Sequence, residues 1–255
     1  MSWIELLGPS GIGKSTFLSL LQKNRVHRVW VTEQEALKEI ISKKNYRGLK
    51  QKALQYYLNQ NFINFHKSYL QDLVLQKEQA YEAEAYKYNA IIRLFFHFLL
   101  QDEKLLAELG EREWSEKAYW NCWYKSLIGN LCVFNYYKFE KPIVVDEGVI
   151  QNNPYIFYLD KTYKGKLPKG LIFIKSDVES IYENLIHRKN DIGKRRIHKN
   201  MDENSLKIFI NQELENYSKK LDFAKKLNIP YIEIDFSHAQ EENIKRANGF
   251  LNQLA

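Results

Sequence analysis

Residues 8–15 read Gly-Pro-Ser-Gly-Ile-Gly-Lys-Ser and match G-x-x-x-x-G-K-[ST] at every fixed position, with Gly8, Gly13, Lys14 and Ser15 as anchors. This spacing suits the binding of phosphate. A tight glycine-rich turn points successive backbone N–H groups inward, and the helix that follows presents its positive dipole end to the same anion. Gly11 and Gly13 are free to take positive φ, where a Cβ would clash. On this reading Gly8, Pro9, Ser10, Gly11, Ile12, Gly13 and Thr16 form the cradle. Lys14 reaches the β and γ phosphates, and the Ser15 hydroxyl holds Mg²⁺.

Three further groups of residues have chemical potential. The apolar run Ile-Val-Val at 143–145 ends in Asp146 and Glu147, where an Asp can hold the magnesium shell and a second carboxylate can orient or deprotonate a nucleophile. Solvated turn acids are the alternative reading. Residues 186–199 carry Arg188, Lys189, Lys194, Arg195, Arg196 and Lys199 around Asp191-Ile192-Gly193. Such a cluster suits the charge that develops in phosphoryl transfer, a solvated face or a nucleic-acid patch. Asn89, Arg93, His97 and Gln101 recur every four residues in an otherwise apolar stretch, so they share one helix face. That stripe faces either bulk water or a polar cleft, because buried cations are costly unless paired.

The elements that must position these groups follow from the apolar pattern. Trp3 to Leu7 reads as a strand, the glycine-rich turn follows, and Lys14 to Gln22 reads as a helix. A second strand is expected over Val26 to Val31, then a short helix from Gln34 to Ser42. From Leu49 to Tyr137 there is no proline, and Leu, Phe and Tyr recur at helical spacing. Pro142 then introduces a buried parallel strand. Strand and helix alternate afterwards: Gly170 to Ile174, a helix opening at Ser176 or Asp177, a long helix from Glu203 to Leu227, Tyr231 to Asp235, and a last helix from Gln240. Alternation of this kind predicts a parallel sheet covered by helices on both faces.

Composition narrows the classes. In 255 residues, 45% hydrophobic content with only 11 Gly and 5 Pro excludes collagen-like, low-complexity and disordered chains. Cys122 and Cys132 can form at most one disulfide and lie near no zinc-binding pattern. The net charge of +7 favours anionic partners without choosing among nucleotide, nucleic acid and membrane surface. No basic segment precedes an apolar core at the amino terminus, and the apolar stretch from Ala90 to Leu100 is too short for a membrane span, so a cytoplasmic protein without a transmembrane segment is expected.

On the glycine-rich loop with Thr16, the Val-Val-Asp-Glu-Gly run and the carboxyl-terminal order of strand, helix, basic loop and long helix, the chain resembles the P-loop small-molecule kinases. That group holds nucleoside monophosphate kinases, thymidylate kinase and deoxynucleoside kinases. The resemblance covers the sheet and both ends of the chain. It implies an α/β three-layer fold in a single domain over 1–255, with a large helical insertion at 45–138 on the acceptor side. It implies ATP and Mg²⁺ as cofactors, and Arg188, Arg195 and Arg196 in a mobile lid over the transferred phosphoryl group. Arg93 and His97 become acceptor-site candidates. Glu33 falls where deoxynucleoside kinases place the carboxylate that activates the acceptor hydroxyl, although Gln34 stands where those enzymes have proline. Thymidylate kinase has Asp-Arg where this chain has Asp146-Glu147. A kinase acting on a nucleoside, nucleotide or sugar-like acceptor is therefore expected. The alternatives are an ATPase module acting on a protein partner and a polynucleotide kinase or other nucleic-acid enzyme.

Overall fold

Apolar runs that continue without alternation suit strands buried on both faces, and runs of this kind at Ile143–Val145 and Gly170–Ile174 lie in the interior of the sheet of this protein. A computed structural model describes residues 2–43, 130–131, 133–134, 137–152, 167–189 and 201–255. Strands β1 (Trp3–Leu7), β2 (Val31–Thr32), β3 (Ile143–Val145), β4 (Gly170–Lys175) and β5 (Tyr231–Asp235) form one sheet in the order β2-β3-β1-β4-β5. All neighbouring strands are parallel, so the protein is an α/β fold on a five-stranded parallel sheet. Every residue of β1 and β3 is buried.

The described helices are α1 (Lys14–Lys23), α2 (Glu33–Lys43), α3 (Val149–Asn152), α4 (Val178–Lys189), α5 (Glu203–Lys226) and α6 (Gln240–Gln253). Four of them bury a pair of apolar side chains spaced i and i+4: Phe17 and Leu21, Ile181 and Leu185, Leu206 and Ile210, Ala247 and Leu251. These pack with Ile4, Leu6, Val144, Ile172, Ile174 and Ile234 from the strands. Each fully buried Val, Leu, Ile or Phe contributes roughly 1.5–3 kcal/mol. Successive strand residues point to opposite faces, and Phe173, between Ile172 and Ile174, meets the Tyr217 ring of α5 edge-on at 5.0 Å. Helices thus cover both faces.

Local signals set the helix starts. Asp202 caps α5, its Oδ1 accepting from Ser205 N at 2.7 Å. Asp177 does the same ahead of α4, accepting from Ser180 N at 2.8 Å and from the Ser180 hydroxyl at 2.7 Å. Those bonds hold its carboxyl below the usual range. At the other end of the sheet α6 reaches back to β5, where Asn243 Nδ2 donates to Asp235 O at 2.7 Å and Arg246 Nη2 to Glu233 O at 3.1 Å.

The second strand is shorter than its apolar run suggests. It spans Val31–Thr32 rather than Val26 to Val31, with Val26 86% and Val29 37% exposed. His27 and Arg28 interrupt the run. The Arg25 guanidinium lies 5.1 Å over the Trp30 ring, and its Nη1 donates to Trp30 O, which ties the segment into a turn. Helix α3 was not expected from the sequence.

The chain divides into two compact units. One comprises Ser2–Thr32, Lys141–Tyr163 and Leu167–Ala255 and contains the whole sheet; the second is made chiefly of Glu33–Glu140. In the second unit α2 buries Ala36, Leu37 and Ile40. The expected helical segment 45–138 lies almost entirely outside the described residues. Among the described residues no helix is long and apolar enough to cross a membrane.

Candidate functional site

In a parallel sheet, the loops at the carboxyl ends of adjacent strands meet where the strand order reverses. Here β1 lies between β3 and β4. The glycine-rich loop after β1 and the Asp146-Glu147 pair after β3 therefore emerge side by side.

The loop has the backbone that its sequence predicts. Gly11 has φ 92° and Gly13 φ 95°, both in the left-handed region where only glycine is unstrained. A side chain at Gly11 would also meet Leu185 Cγ at 2.6 Å, so α4 packs directly on the turn. Gly13 opens α1 with no side-chain cap, and the first turn of the helix holds no acidic residue. The first N–H groups of a helix have no intrahelical partner, and its dipole end is positive, which suits an anion.

Lys14 is buried and folds back along the loop, its Nζ donating to Gly8 O at 2.6 Å and to Pro9 O at 3.2 Å. The Ser15 hydroxyl donates to Asp146 Oδ2 at 2.6 Å. The pattern residues of the loop and the strand-end acid are thus in contact across the whole sequence between them. A hydroxyl and a carboxylate oxygen at this separation are hard donors of the kind Mg²⁺ accepts. Glu147 follows, half-buried.

Beside the loop lies a cavity of about 380 Å³, a volume in the range of small-ligand sites. Phe17, Leu20 and Phe236 supply apolar wall, with the Phe17 and Phe236 rings edge-on at 5.3 Å. Asn184, His238 and Asn243 supply polar groups. Asn243 is 2% exposed, and its Oδ1 has no hydrogen-bond partner among the described residues. An unpaired buried acceptor of this kind costs about 1–3 kcal/mol, and a ligand N–H would relieve it.

Two neighbours of the loop escaped the sequence reading. Glu5, in the middle of β1, is fully buried and accepts four N–H donors: Trp3 Nε1, Val149 N, Ile150 N and Gln151 N. Burial raises its pKa, and the four donors act against that rise. Gln151 then pairs with the backbone of Gly8. The visible signal for Glu5 was a single acid inside an apolar strand; for Gln151 there was none.

The remaining candidates are placed as follows. Glu33 opens α2 in the second unit, where Asn130 Nδ2 donates to its Oε1 at 2.8 Å. Arg188 lies in the last turn of α4, one turn beyond the Leu185 that packs on Gly11. Arg93, His97, Arg195 and Arg196 lie outside the described residues. No protein-family model matches the chain, and no curated protein matches it.

Proposed function

We propose that this protein is a P-loop kinase that uses Mg²⁺ and ATP to phosphorylate a small-molecule acceptor: a nucleoside, a nucleotide or a sugar-like compound. The observation that carries this reading is the contact between Ser15 and Asp146 at the mouth of a loop whose two glycines have positive φ and whose lysine is buried. The fold is read as the three-layer arrangement of that class, with 45–138 as an acceptor-side helical insertion.

The nucleotide supplies the transferable phosphoryl group, and the metal neutralises charge on its oxygens. Lys14 exchanges the carbonyls of Gly8 and Pro9 for phosphate oxygens, and the amides of the loop and of the first turn of α1 complete the cradle. Ser15 and Asp146 hold the metal or its water shell. The cavity beside Phe17 and Phe236 takes the base, whose amine is suited to the free Oδ1 of Asn243. Glu147 and Glu33 are the candidate carboxylates for orienting or deprotonating the acceptor hydroxyl. Arg188, Arg195 and Arg196 are assigned to the charge that develops during transfer, and Arg93 and His97 to the acceptor.

The test is a screen of nucleosides, nucleotides, sugars and lipid-sugar headgroups for acceptor-dependent ADP release. Strong stimulation by one small molecule is expected. Turnover that ignores every acceptor would replace the kinase reading with an ATPase, and stimulation by polynucleotide alone would replace it with a nucleic-acid kinase.

A second expectation concerns the metal. Asp146→Asn removes a negative charge from the oxygen pair, so turnover should fall by about 10²-fold or more, and half-activation should need more Mg²⁺. A magnesium titration of steady-state rates measures both. Wild-type turnover with a wild-type magnesium profile would make Asp146 a turn residue only.

A further inference from the structure

The segment that follows β3 touches the glycine-rich loop at two separate points. Asp146 reaches Ser15 at the far end of the loop, whereas Gln151 reaches Gly8 at its start. The second contact is a two-point pair: Gly8 N donates to Gln151 Oε1 at 3.0 Å, and Gln151 Nε2 donates to Gly8 O at 2.9 Å. A primary amide offers an acceptor and a donor side by side, as a neighbouring strand would. Gly8, just beyond the last residue of β1, is thereby held through both its N–H and its C=O, as though the sheet continued.

Gln151 is itself held by both polar groups of its backbone. Its N–H is given to Glu5 Oε2 at 3.3 Å, and its carbonyl accepts from Lys220 Nζ of α5. A Gly8 carbonyl has two acceptor sites, and here they serve Gln151 Nε2 and Lys14 Nζ. The peptide that holds the amide is therefore also the one on which the lysine rests.

We propose that Gln151 is a positioning residue for nucleotide binding: its amide, fixed from behind by Glu5 and Lys220, locks the two peptides that flank Gly8 and so sets where Lys14 lies relative to Asp146. The inference rests on reading the loop as a nucleotide site. It assigns a role to a residue that the loop pattern does not include. Without the pair, the peptides that flank Gly8 can rotate, and the loop must be re-ordered each time a nucleotide binds.

The test compares wild type, Gln151→Met and Gln151→Glu by calorimetric titration with Mg-ATP, with a thermal melt of each protein without nucleotide. Met matches Gln in length but cannot make the pair. Its dissociation constant is expected to rise about tenfold, the equivalent of one hydrogen bond of ordinary strength, while the protein stays folded. The Glu variant adds a readout that packing does not move. As a carboxylate it sets an acceptor against Gly8 O, but as the neutral acid it can accept from Gly8 N and donate to Gly8 O. Its affinity relative to wild type should therefore recover as pH falls from about 8 to about 4.5. The charged neighbours are Glu5 on β1, Lys14 on α1, Asp146 and Glu147 after β3, and Glu213 and Lys220 on α5; they are common to all three proteins, and the wild-type profile is their baseline. Wild-type affinity in the Met variant overturns the proposal, as does a Glu-to-wild-type ratio that is flat with pH. If the Met variant does not fold, the Glu series decides alone. Failure of the wild type itself to bind Mg-ATP is a different result, because it removes the proposed function and this inference with it.

Discussion

Lys14→Ala is expected to lower kcat/KM by about 10²- to 10³-fold, the loss that follows when one preorganised donor is removed from developing charge. Mg-ATP affinity should fall in the same experiment, because the ammonium is the only side-chain cation that the loop pattern brings to the phosphates. Stability should change little. The Lys14 ammonium rests on Gly8 O and Pro9 O, and when it is gone Gly8 O still accepts from Gln151 Nε2, so about 1 kcal/mol is at stake. Steady-state kinetics, calorimetric titration with Mg-ATP and a thermal melt separate these effects. A variant that binds Mg-ATP as tightly as wild type would sink the assignment of the loop.

The second large effect concerns folding rather than catalysis. Gly148 follows Asp146-Glu147, and a Cβ built there would overlap the Glu5 carboxylate. Glu5 cannot move aside without giving up N–H groups of α3, since Val149, Ile150 and Gln151 all donate to it. Gly148→Ala should therefore destabilise the protein by about 3 kcal/mol or more, combining overpacking with broken bonds to a buried acceptor. Gly249 in α6 is the matched control, because a Cβ there meets nothing within 4 Å. Gly249→Ala should stabilise the protein by about 0.5–1 kcal/mol through helix propensity. Urea denaturation of both variants measures the contrast. Equal stabilities would show that the Glu5 site relaxes easily.

Much of the frame could be read from the sequence because strands buried on both faces are written as unbroken apolar runs. The runs at Ile143–Val145 and Gly170–Ile174 are of that kind. Trp3–Leu7 and Tyr231–Asp235 also matched their expected bounds, although Glu5 interrupts the first and the second is a partly exposed edge strand with two acids. Glycine spacing in the loop foretold the two positive φ values. The short strand at Val31–Thr32 was overestimated for a physical reason. Apolar composition alone does not reveal that Arg25 folds onto Trp30 and holds the preceding residues in a turn. The contact between Ser15 and Asp146 was legible only as an expectation about adjacent strands. Gln151 was not legible, and Glu5 showed only as a lone acid in an apolar strand, because their meaning depends on partners far away in the sequence: a buried carboxylate becomes intelligible once the N–H groups of α3 are placed against it. Arg93, His97, Arg195 and Arg196 remain residues assigned by pattern and resemblance.

The links from α6 to β5 bear on how this protein avoids sticking to its own kind. Leu171 N donates to Pro230 O, so the even-numbered carbonyls along β5 face β4 and those of Tyr231, Glu233 and Asp235 face outward. Two of those three acceptors are already occupied, Glu233 O by Arg246 and Asp235 O by Asn243. An incoming strand would have to evict both side chains before it could form a ladder. At the opposite edge β2 offers only two residues, too few to template an extra strand. The sheet is thereby sealed against lateral growth at both ends, by side chains at one and by brevity at the other.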